Sequence, residues 1–439
     1  MADTERVTEP APGPDRPPFE QDGHQAADVS AADVEAAAEV LRGVVEVTPL
    51  EGNARLSAAT GAEVFLKRED VQPTRSYKGR GAYTFLSRLS AVERAAGVVC
   101  ASAGNHAQGV AFACARSGVG ARIYLPRTTP RQKRDRVAAL GGSVVEVLVE
   151  GDTYDDSAAL AAAHAASSGA TLVPAFDHPY TVAGQGTVVA EAVAQLGRLP
   201  DVVVVPVGGG GLVAGTVAWL SSRGPSVRVV GVEPEGAAGM AAAVAAGAPV
   251  DLEQVEAFVD GAAVRRAGVL PHRLVDRYRP ELVTVPEGQV CVEMLELYQV
   301  DGIIAEPAGA LASSVLPALD LPAGATVVVV LSGGNNDVSR YAEVVERALV
   351  HTGLKHYFLV EFPQEPGALR RFLDDVLGPD DDITLFEYIK RSNRETGPAL
   401  VGIEIGRRED LPALLARMEA APPRIERIPP DSPLFRFLL

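Results

Sequence analysis

Between residues 28 and 345 the chain alternates short, continuously apolar runs with Ala-rich helical stretches. A strand with one solvent-exposed face alternates polar and apolar residues. Because these runs are apolar throughout, we expect both faces of each strand to be covered. Such strands, separated by helices, are typical of α/β proteins with parallel sheets. The predicted strands are 62–68, 97–102, 121–126, 143–149, 170–176, 201–207, 227–233 and 326–332, with helices over 104–118 and 211–224 among others.

The pattern changes after about residue 350, where strands and helices follow in the order β-α-β-β-α-β. This order is that of a ferredoxin-like unit, and the segment is long enough for a separate domain. The acidic, proline-rich start has too little apolar surface to compensate for ordering. We therefore predict a disordered tail over 1–25, an α/β domain over 26–345 and a small C-terminal domain over 346–439.

Charge and cysteine content narrow the class of protein. The formal net charge of −17 argues against nucleic acid or an anionic membrane as a partner. The N-terminus lacks the basic-then-apolar pattern of a secretory signal, and no stretch approaches the roughly 20 apolar residues of a membrane helix. The three cysteines, Cys100, Cys114 and Cys291, have no metal-binding spacing and indicate a reduced, cytoplasmic setting.

Lysine is scarce, so each lysine calls for an explanation. Only five of the 40 basic residues are lysines, at positions 67, 78, 133, 355 and 390. Arginine cannot replace a lysine that must lose its proton and attack a carbonyl. Lys78 is followed by Gly79 and Gly81, which would let backbone amides approach a ligand, and Arg75 and Arg80 could depress its pKa. Lys78 is thus a candidate nucleophile, although an ordinary loop lysine is the alternative.

Two further loops follow predicted strands. In ASAGNHAQG (101–109), Gly104 exposes amides at a helix start, which suits a carboxylate or phosphate, whereas a simple turn capped by Ser102 or Asn105 is the alternative. Ordering the run GGGGL (208–212) is costly in backbone entropy, and binding of a phosphate by its amides would explain that cost. The overlapping segment 209–214 fits G-x-G-x-x-A with Glu233 downstream, which keeps an NAD-dependent dehydrogenase open as an alternative.

Two polar residues at later strand or helix boundaries complete the candidates. Ser332 ends the predicted strand 326–332, where it could form one directed hydrogen bond or cap a helix. Glu306, in EPAGA, lies at a loop–helix junction, where it could equally be a first-turn charge favoured by the helix dipole.

Together these segments resemble the threonine dehydratases, pyridoxal 5′-phosphate (PLP) enzymes of fold-type II. The resemblance is carried by KREDVQPTRSYKGRGA, ASAGNHAQG, GDTYDD, PAFDH, AGQGT, PVGGGGL, GVEPEGA, EPAGA and LSGGNND, in order from about residue 44 to 340. It implies two open α/β subdomains with the cofactor between them. The C-terminal segment resembles the ACT-like regulatory domain of dehydratases that carry one such domain.

The resemblance also implies roles for individual residues. Lys78 would hold PLP as a Schiff base, Asn105 would bond the ring hydroxyl, and Ser332 would face the pyridine nitrogen. The remaining positions are the substrate-carboxylate loop (Ser102, Ala103, Gly104 and His106), the phosphate loop (Gly208, Gly209, Gly210, Gly211 and Leu212) and Ser76, whose counterpart in related racemases is an acid or base. No divalent metal is expected, because Gly239 stands where metal-binding relatives carry an Asp.

The implied reaction is the deamination of L-threonine, and of L-serine, to a 2-oxo acid and ammonia, as the first step of isoleucine biosynthesis. The C-terminal domain implies feedback by isoleucine with valine opposing it, and the family implies a homotetramer. A serine racemase or a β-replacing synthase of the same fold is the closest alternative. A further alternative is a sensor that binds amino acids without catalysis. The C-terminal domain could also serve only for dimerisation.

Overall fold

The computed structural model describes residues 28–388, 395–430, 432, 434, 435 and 438. The predicted tail over 1–25 lies outside them. The helices are α1 Ala31–Leu41, α2 Ala54–Thr60, α3 Lys78–Ser87, α4 Ala91–Ala96, α5 Asn105–Ser117, α6 Arg131–Gly141, α7 Tyr154–Ser168, α8 Pro179–Leu196, α9 Gly211–Arg223, α10 Gly239–Ala246, α11 Val269–Tyr278, α12 Glu287–Gln299, α13 Pro307–Ser314, α14 Tyr341–Thr352, α15 Ala368–Val376 and α16 Leu411–Ala420. The strands are β1 Leu50–Gly52, β2 Glu63–Arg68, β3 Val98–Ala101, β4 Ala121–Leu125, β5 Val145–Val149, β6 Thr171–Leu172, β7 Val202–Pro206, β8 Arg228–Pro234, β9 Glu281–Val285, β10 Thr326–Leu331, β11 Lys355–Pro363, β12 Asp382–Tyr388, β13 Thr396–Glu404 and β14 Arg424–Ile428. None of the helices in this described part has the length and apolarity needed to cross a membrane.

The larger sheet confirms the predicted α/β architecture. Its six strands run in the order β1-β2-β10-β7-β8-β9, all parallel to their neighbours except β1, which pairs antiparallel with β2. Every residue of β7 and β10 is buried, because helices cover both faces. Strand β9 escaped prediction because ELVTV mixes polar and apolar residues and is only partly buried.

A second parallel sheet, in the order β5-β4-β3-β6, carries the rest of the α/β region. Strand β6 has only two residues, Thr171 and Leu172, instead of the seven predicted over 170–176. The chain leaves the sheet after Leu172, and the residues that follow, Ala175 and Phe176, line a cavity instead.

The C-terminal segment has the predicted element order, β11-α15-β12-β13-α16-β14. Its sheet is antiparallel, with strand order β12-β13-β11-β14. Helices α15 and α16 bury Phe372 and Leu414 in its core. Strand β11 alternates buried and exposed residues toward its end, as a sheet covered mainly on one face requires. Helix α14 leads directly into β11.

Candidate active site

A cavity of about 560 Å³ lies where loops that follow strands of both parallel sheets come together. This is the edge at which open α/β sheets bind ligands. Its lining includes Lys78, Ser102, Ala103, Gly104, Asn105, His106, Lys133, Phe176, Gly209, Asp260, Glu306 and Asn335. The structure therefore brings together the lysine loop, the loop after β3 and part of the glycine loop, although these lie far apart in sequence.

Lys78 is the first residue of α3 and is only partly buried, with Nζ 5.0 Å from the centre of the Tyr77 ring. The sequence suggested Arg80 as a cationic neighbour, but its charge is balanced elsewhere. Arg80 donates to Glu69 at 2.7 and 2.8 Å and to Glu191 at 3.0 Å. Arg80 is 1% exposed, so this paired guanidinium anchors α3 from inside the protein.

Asn105, Glu306 and Asn335 form a hydrogen-bonded row in the cavity. The Asn105 side-chain amide donates to Glu306 Oε1 at 2.5 Å, and Asn335 donates to Asn105 Oδ1 at 2.7 Å. Burial, reinforced by the negative charge of Asp260, raises the pKa of Glu306 to about 7, although the bond from Asn105 opposes the shift. Glu306 can therefore hold or release a proton near neutral pH.

His106 lines the cavity but already has one partner. Its Nε2 lies 3.0 Å from the carbonyl oxygen of Val173, which can only accept a hydrogen bond. Burial and the charge of Lys78 lower the pKa of His106 to about 4, so the ring is neutral and carries its proton on Nε2. Only Nδ1 remains for another contact.

The loop before α5 offers free backbone donors. Gly104 is the N-cap of α5, and no side chain caps this helix start. The Ser102 hydroxyl instead accepts from the Gly104 amide at 3.2 Å. The alternative of a simple turn capped by Ser102 or Asn105 is therefore wrong. The start of α5 is open to an anion.

The glycine loop joins β7 to α9. Within the described chain, the amides of Gly208 to Leu212 donate no hydrogen bond to another residue. Five consecutive free N–H groups at a helix start form a strong anion site. Close packing also demands glycine here: an added Cβ would lie 2.8 Å from Ala262 Cα at Gly208 and 2.3 Å from the Phe176 ring at Gly209. Gly210 has φ +91°, a left-handed conformation.

Two of the predicted serines, Ser332 and Ser76, are buried outside the cavity lining. Ser332 follows β10, and its hydroxyl donates to the Ala308 carbonyl at 3.0 Å, which leaves its oxygen only as an acceptor in this arrangement. Ser76 pairs through its backbone with Gly333. Its hydroxyl is fully buried and has no hydrogen-bond partner among the described residues. A buried hydroxyl without a partner is unfavourable unless a ligand supplies one.

Glu233, which imitated the ribose-binding acid of a dinucleotide fingerprint, has a structural role instead. It lies on β8, and its two carboxylate oxygens accept from the amides of Met240 and Ala241 at 2.7 and 2.8 Å. Burial raises its pKa to about 7. Because these bonds cap the start of α10, the position of Glu233 after the glycine loop has a structural explanation that does not involve NAD. In the described part of the chain, no cluster of three or more His, Cys, Asp or Glu residues is arranged for a metal.

Glu306 and Asn335 belong to EPAGA and LSGGNND, two motifs of the family resemblance, but the resemblance implied no role in the site for either residue. The carboxylate of Glu306 looked like a first-turn charge, since it precedes Pro307 at a helix start. Its partner Asn105 is 201 residues away, so no local signal could reveal the contact. Lys133 also lines the cavity and donates to Asp260 at 2.9 Å, a residue 127 positions away in the sequence.

Comparison with known proteins identifies the class that this fold and site define. The sequence pattern of the pyridoxal-phosphate dependent enzyme family matches residues 41–333, and that of the C-terminal regulatory domain of threonine dehydratase matches residues 346–438. The processed form of threonine deaminase isoform 2 from Solanum lycopersicum superposes with a TM-score of 0.68 at 34% identity, over 76% of this chain and 99% of that chain. Maize serine racemase gives a TM-score of 0.67 at 27% identity, over 74% of this chain and 99% of that one.

Curated relatives narrow the class further. The biosynthetic L-threonine dehydratase IlvA of Mycobacterium bovis is 59% identical over 413 residues, 94% of this chain and 96% of the relative. That of Bacillus subtilis is 45% identical over 400 residues, 91% of this chain and 95% of the relative. The chain therefore belongs to the family of biosynthetic threonine dehydratases, PLP-dependent enzymes with a C-terminal regulatory domain.

The cavity fits the cofactor that the family uses. It offers a lysine amine, free amides of the glycine loop suited to a phosphate, and polar groups of Asn105 and Glu306 suited to a ring substituent. Its volume falls within the range of roughly 300–1,000 Å³ that small-ligand sites occupy. The Ser76 hydroxyl, two residues before Lys78, also has no hydrogen-bond partner among the described residues.

Proposed function

We propose that this protein deaminates L-threonine, and L-serine as a second substrate, by eliminating the β-hydroxyl as water. Threonine yields 2-oxobutanoate and ammonia, which is the first step toward isoleucine. The observation that carries the proposal is the meeting of Lys78 with two uncapped helix starts in one cavity, in a chain 59% identical to a biosynthetic threonine dehydratase. Bound PLP supplies an electron sink that makes the substrate Cα–H acidic.

Each part of the cavity then has a task. Lys78 holds the cofactor and its Nζ takes the Cα proton as a general base. The amides of Gly208 to Leu212 bind the phosphate, and the open start of α5, with Ser102, Ala103 and His106, binds the substrate carboxylate. Asn105, kept in place by Glu306 and Asn335, orients the cofactor ring. Ser332, whose hydroxyl donates to the Ala308 carbonyl, would face the ring nitrogen as a neutral acceptor.

The test is an assay of the purified holoenzyme for 2-oxobutanoate from L-threonine and pyruvate from L-serine, with D-serine formation measured in parallel. Turnover of threonine with little D-serine supports the proposal. A protein that racemises serine but leaves threonine unchanged would instead be a racemase of the same fold. A protein that binds NAD and shows no visible cofactor absorption would overturn both.

The remaining expectations belong to the same proposal. We place the catalytic domain at residues 26–345 and the regulatory domain at 346–439, supported by the family matches over 41–333 and 346–438. We infer a cytoplasmic homotetramer that is inhibited by isoleucine, with valine opposing it. Light scattering of the purified protein tests the tetramer. An isoleucine titration that leaves the threonine saturation curve unchanged would contradict the proposed feedback.

A further inference from the structure

Residues 247–268 join α10 to α11 and form neither helix nor strand. A connection of this length without regular structure is uncommon in a compact domain and often has a function. Its middle is nevertheless well buried, since Phe258 is 3% exposed, Val259 is fully buried and Ala262 is 2% exposed. We call residues 256–262 the bridging segment, because its two ends contact different parts of the molecule.

The inner end of the bridging segment contacts two separate parts of the active site. A Cβ at Gly208, in the glycine loop, would lie 2.8 Å from Ala262 Cα. A Cβ at Gly261 would lie 3.8 Å from both Asn105 Nδ2 and Glu306 Oε1. Two adjacent residues therefore pack against the loop suited to a phosphate and beside the hydrogen bond suited to a cofactor ring. A displacement of this pair would disturb both features together.

The outer end of the bridging segment is held by two arginines. Arg347 lies within α14 and Arg340 immediately precedes that helix. Their guanidinium carbons lie 4.5 and 4.8 Å from the centre of the Phe258 ring. Arg340 also donates to the Phe258 carbonyl oxygen at 2.6 Å. Cation–π contacts are stronger where the groups are shielded from water, and the Phe258 ring is buried.

Ion pairs support the same arrangement. Arg347 lies 3.5 Å from Glu256, and Arg340 lies 3.6 Å from Asp260, which also accepts from Lys133 of α6 at 2.9 Å. Helix α14 leads directly into β11, the first strand of the C-terminal domain. The groups that hold the bridging segment therefore belong to the helix that connects the two domains.

We propose that Phe258 is a positioning residue for the deamination. Held by the two arginines, its ring fixes the inner end of the bridging segment, and through it the spacing between the glycine loop and the Asn105–Glu306 bond. Phe258 does not line the cavity, so it acts through its neighbours in the segment and not by contact with the substrate. The inference rests on the proposed function, because this spacing matters only if both features bind one cofactor.

Titration of the full-length, cofactor-free protein with PLP, followed by visible absorption, tests the proposal together with steady-state kinetics of the holoenzyme. Phe258→Leu keeps a buried apolar side chain but removes the ring over which both arginines lie. We expect PLP affinity and kcat with threonine each to fall about tenfold, since a small misplacement of reacting groups is costly. KM should change less than about threefold, because no substrate contact is removed.

Two further variants disturb the bridging segment from its two ends. Arg347→Met removes one cation from the Phe258 ring, and Arg347→Lys, which keeps the charge, should recover most of the loss. Gly261→Ala adds a Cβ only 2.8 Å from Ala308 Cβ, which displaces the inner end. It should therefore give the same profile as Phe258→Leu. These variants decide the question even if Phe258→Leu does not fold.

Arg116→Met is the matched control, because Arg116 lies 5.4 Å from the centre of the Phe112 ring within α5 and does not line the cavity. It should leave PLP affinity and kcat unchanged. Circular dichroism and thermal unfolding establish that each variant is folded.

The alternative is that the arginines only fasten α14 to the catalytic domain. If Arg347→Met and Gly261→Ala lower the unfolding temperature but keep the PLP affinity and kcat of the wild type, the positioning role is overturned. If the wild type binds PLP but does not deaminate threonine, the proposed function fails. The PLP affinities of the variants still decide whether Phe258 positions the cofactor site.

Discussion

Two polar clusters flank the start of α3, and they differ in how completely their groups are paired. On one side, Arg80, Lys67, Glu69 and Glu191 satisfy one another: Lys67 donates to Glu191, to Gln195 and to the Thr48 carbonyl. On the other side, among the described residues, Lys78 forms no hydrogen bond, the glycine-loop amides have no acceptor, and the Ser76 hydroxyl, outside the cavity lining, has no partner. A fully paired cluster holds the fold, whereas an incompletely paired one is ready for a ligand.

The largest expected effect is on turnover. Lys78→Ala should reduce kcat with threonine by about a thousandfold or more, since it removes both the cofactor attachment and a general base. The unfolding temperature should change little, because Lys78 is partly exposed and makes no hydrogen bond in the described chain. Assays of 2-oxobutanoate and thermal unfolding measure the two effects. Lys133→Ala is the control lysine on the cavity wall, and equal loss in both variants would contradict a special role for Lys78.

Arg80→Met should produce the opposite profile, a loss of stability. Removing one partner from a buried, charged cluster costs about 3–5 kcal/mol, because Glu69 is left without a cation and Glu191 keeps only Lys67. Urea unfolding of the variant measures this cost. Arg131→Ala, which breaks an exposed pair with Asp135, is the control and should cost less than about 1 kcal/mol. Similar losses in both variants would show that the cluster does not hold the fold.

Glu306→Gln should stabilise the cofactor-free protein at neutral and higher pH. The pKa of Glu306 is about 7 in the folded chain and about 4.3 in an unfolded one, so between these values the folded state binds more protons. Wild-type stability therefore falls as pH rises through this window, by up to about 4 kcal/mol. Unfolding at pH 4.5 and pH 8 should show the advantage of Glu306→Gln only at pH 8. Exposed Glu361→Gln is the control, and an advantage that does not depend on pH would contradict the prediction.

The smallest expected effect is that of Ser76→Ala. Because the Ser76 hydroxyl is buried without a partner, its removal should leave the cofactor-free protein equally stable, or more stable by about 1 kcal/mol. Threonine deamination should stay within about tenfold of the wild type, while any D-serine formation should disappear, as expected for an acid or base on the second face of the substrate. Comparison of the two activities measures this. Loss of threonine turnover with D-serine formation retained would reverse the assignment.

The sequence by itself predicted the α/β architecture and singled out Lys78. Strands such as Val202–Pro206 and Thr326–Leu331 are apolar throughout because both faces are covered, so composition alone marks them. The scarcity of lysine singled out Lys78, and the run of four glycines singled out Gly208 to Gly211. Both features are local and unusual, so the sequence alone reveals them.

Only the tertiary structure decided which groups meet. Glu306 and Asn105 are 201 residues apart, and Arg80 and Glu191 are 111 apart, so no periodicity could pair them. The structure also reassigned Arg80 from a neighbour that tunes Lys78 to an anchor of the fold, and Glu233 from a ligand-binding acid to a helix cap. The physical reason is common to Arg80, Glu191, Glu233 and Glu306: a charged group takes its role from the partners and the burial that folding gives it, and its neighbours in sequence specify neither.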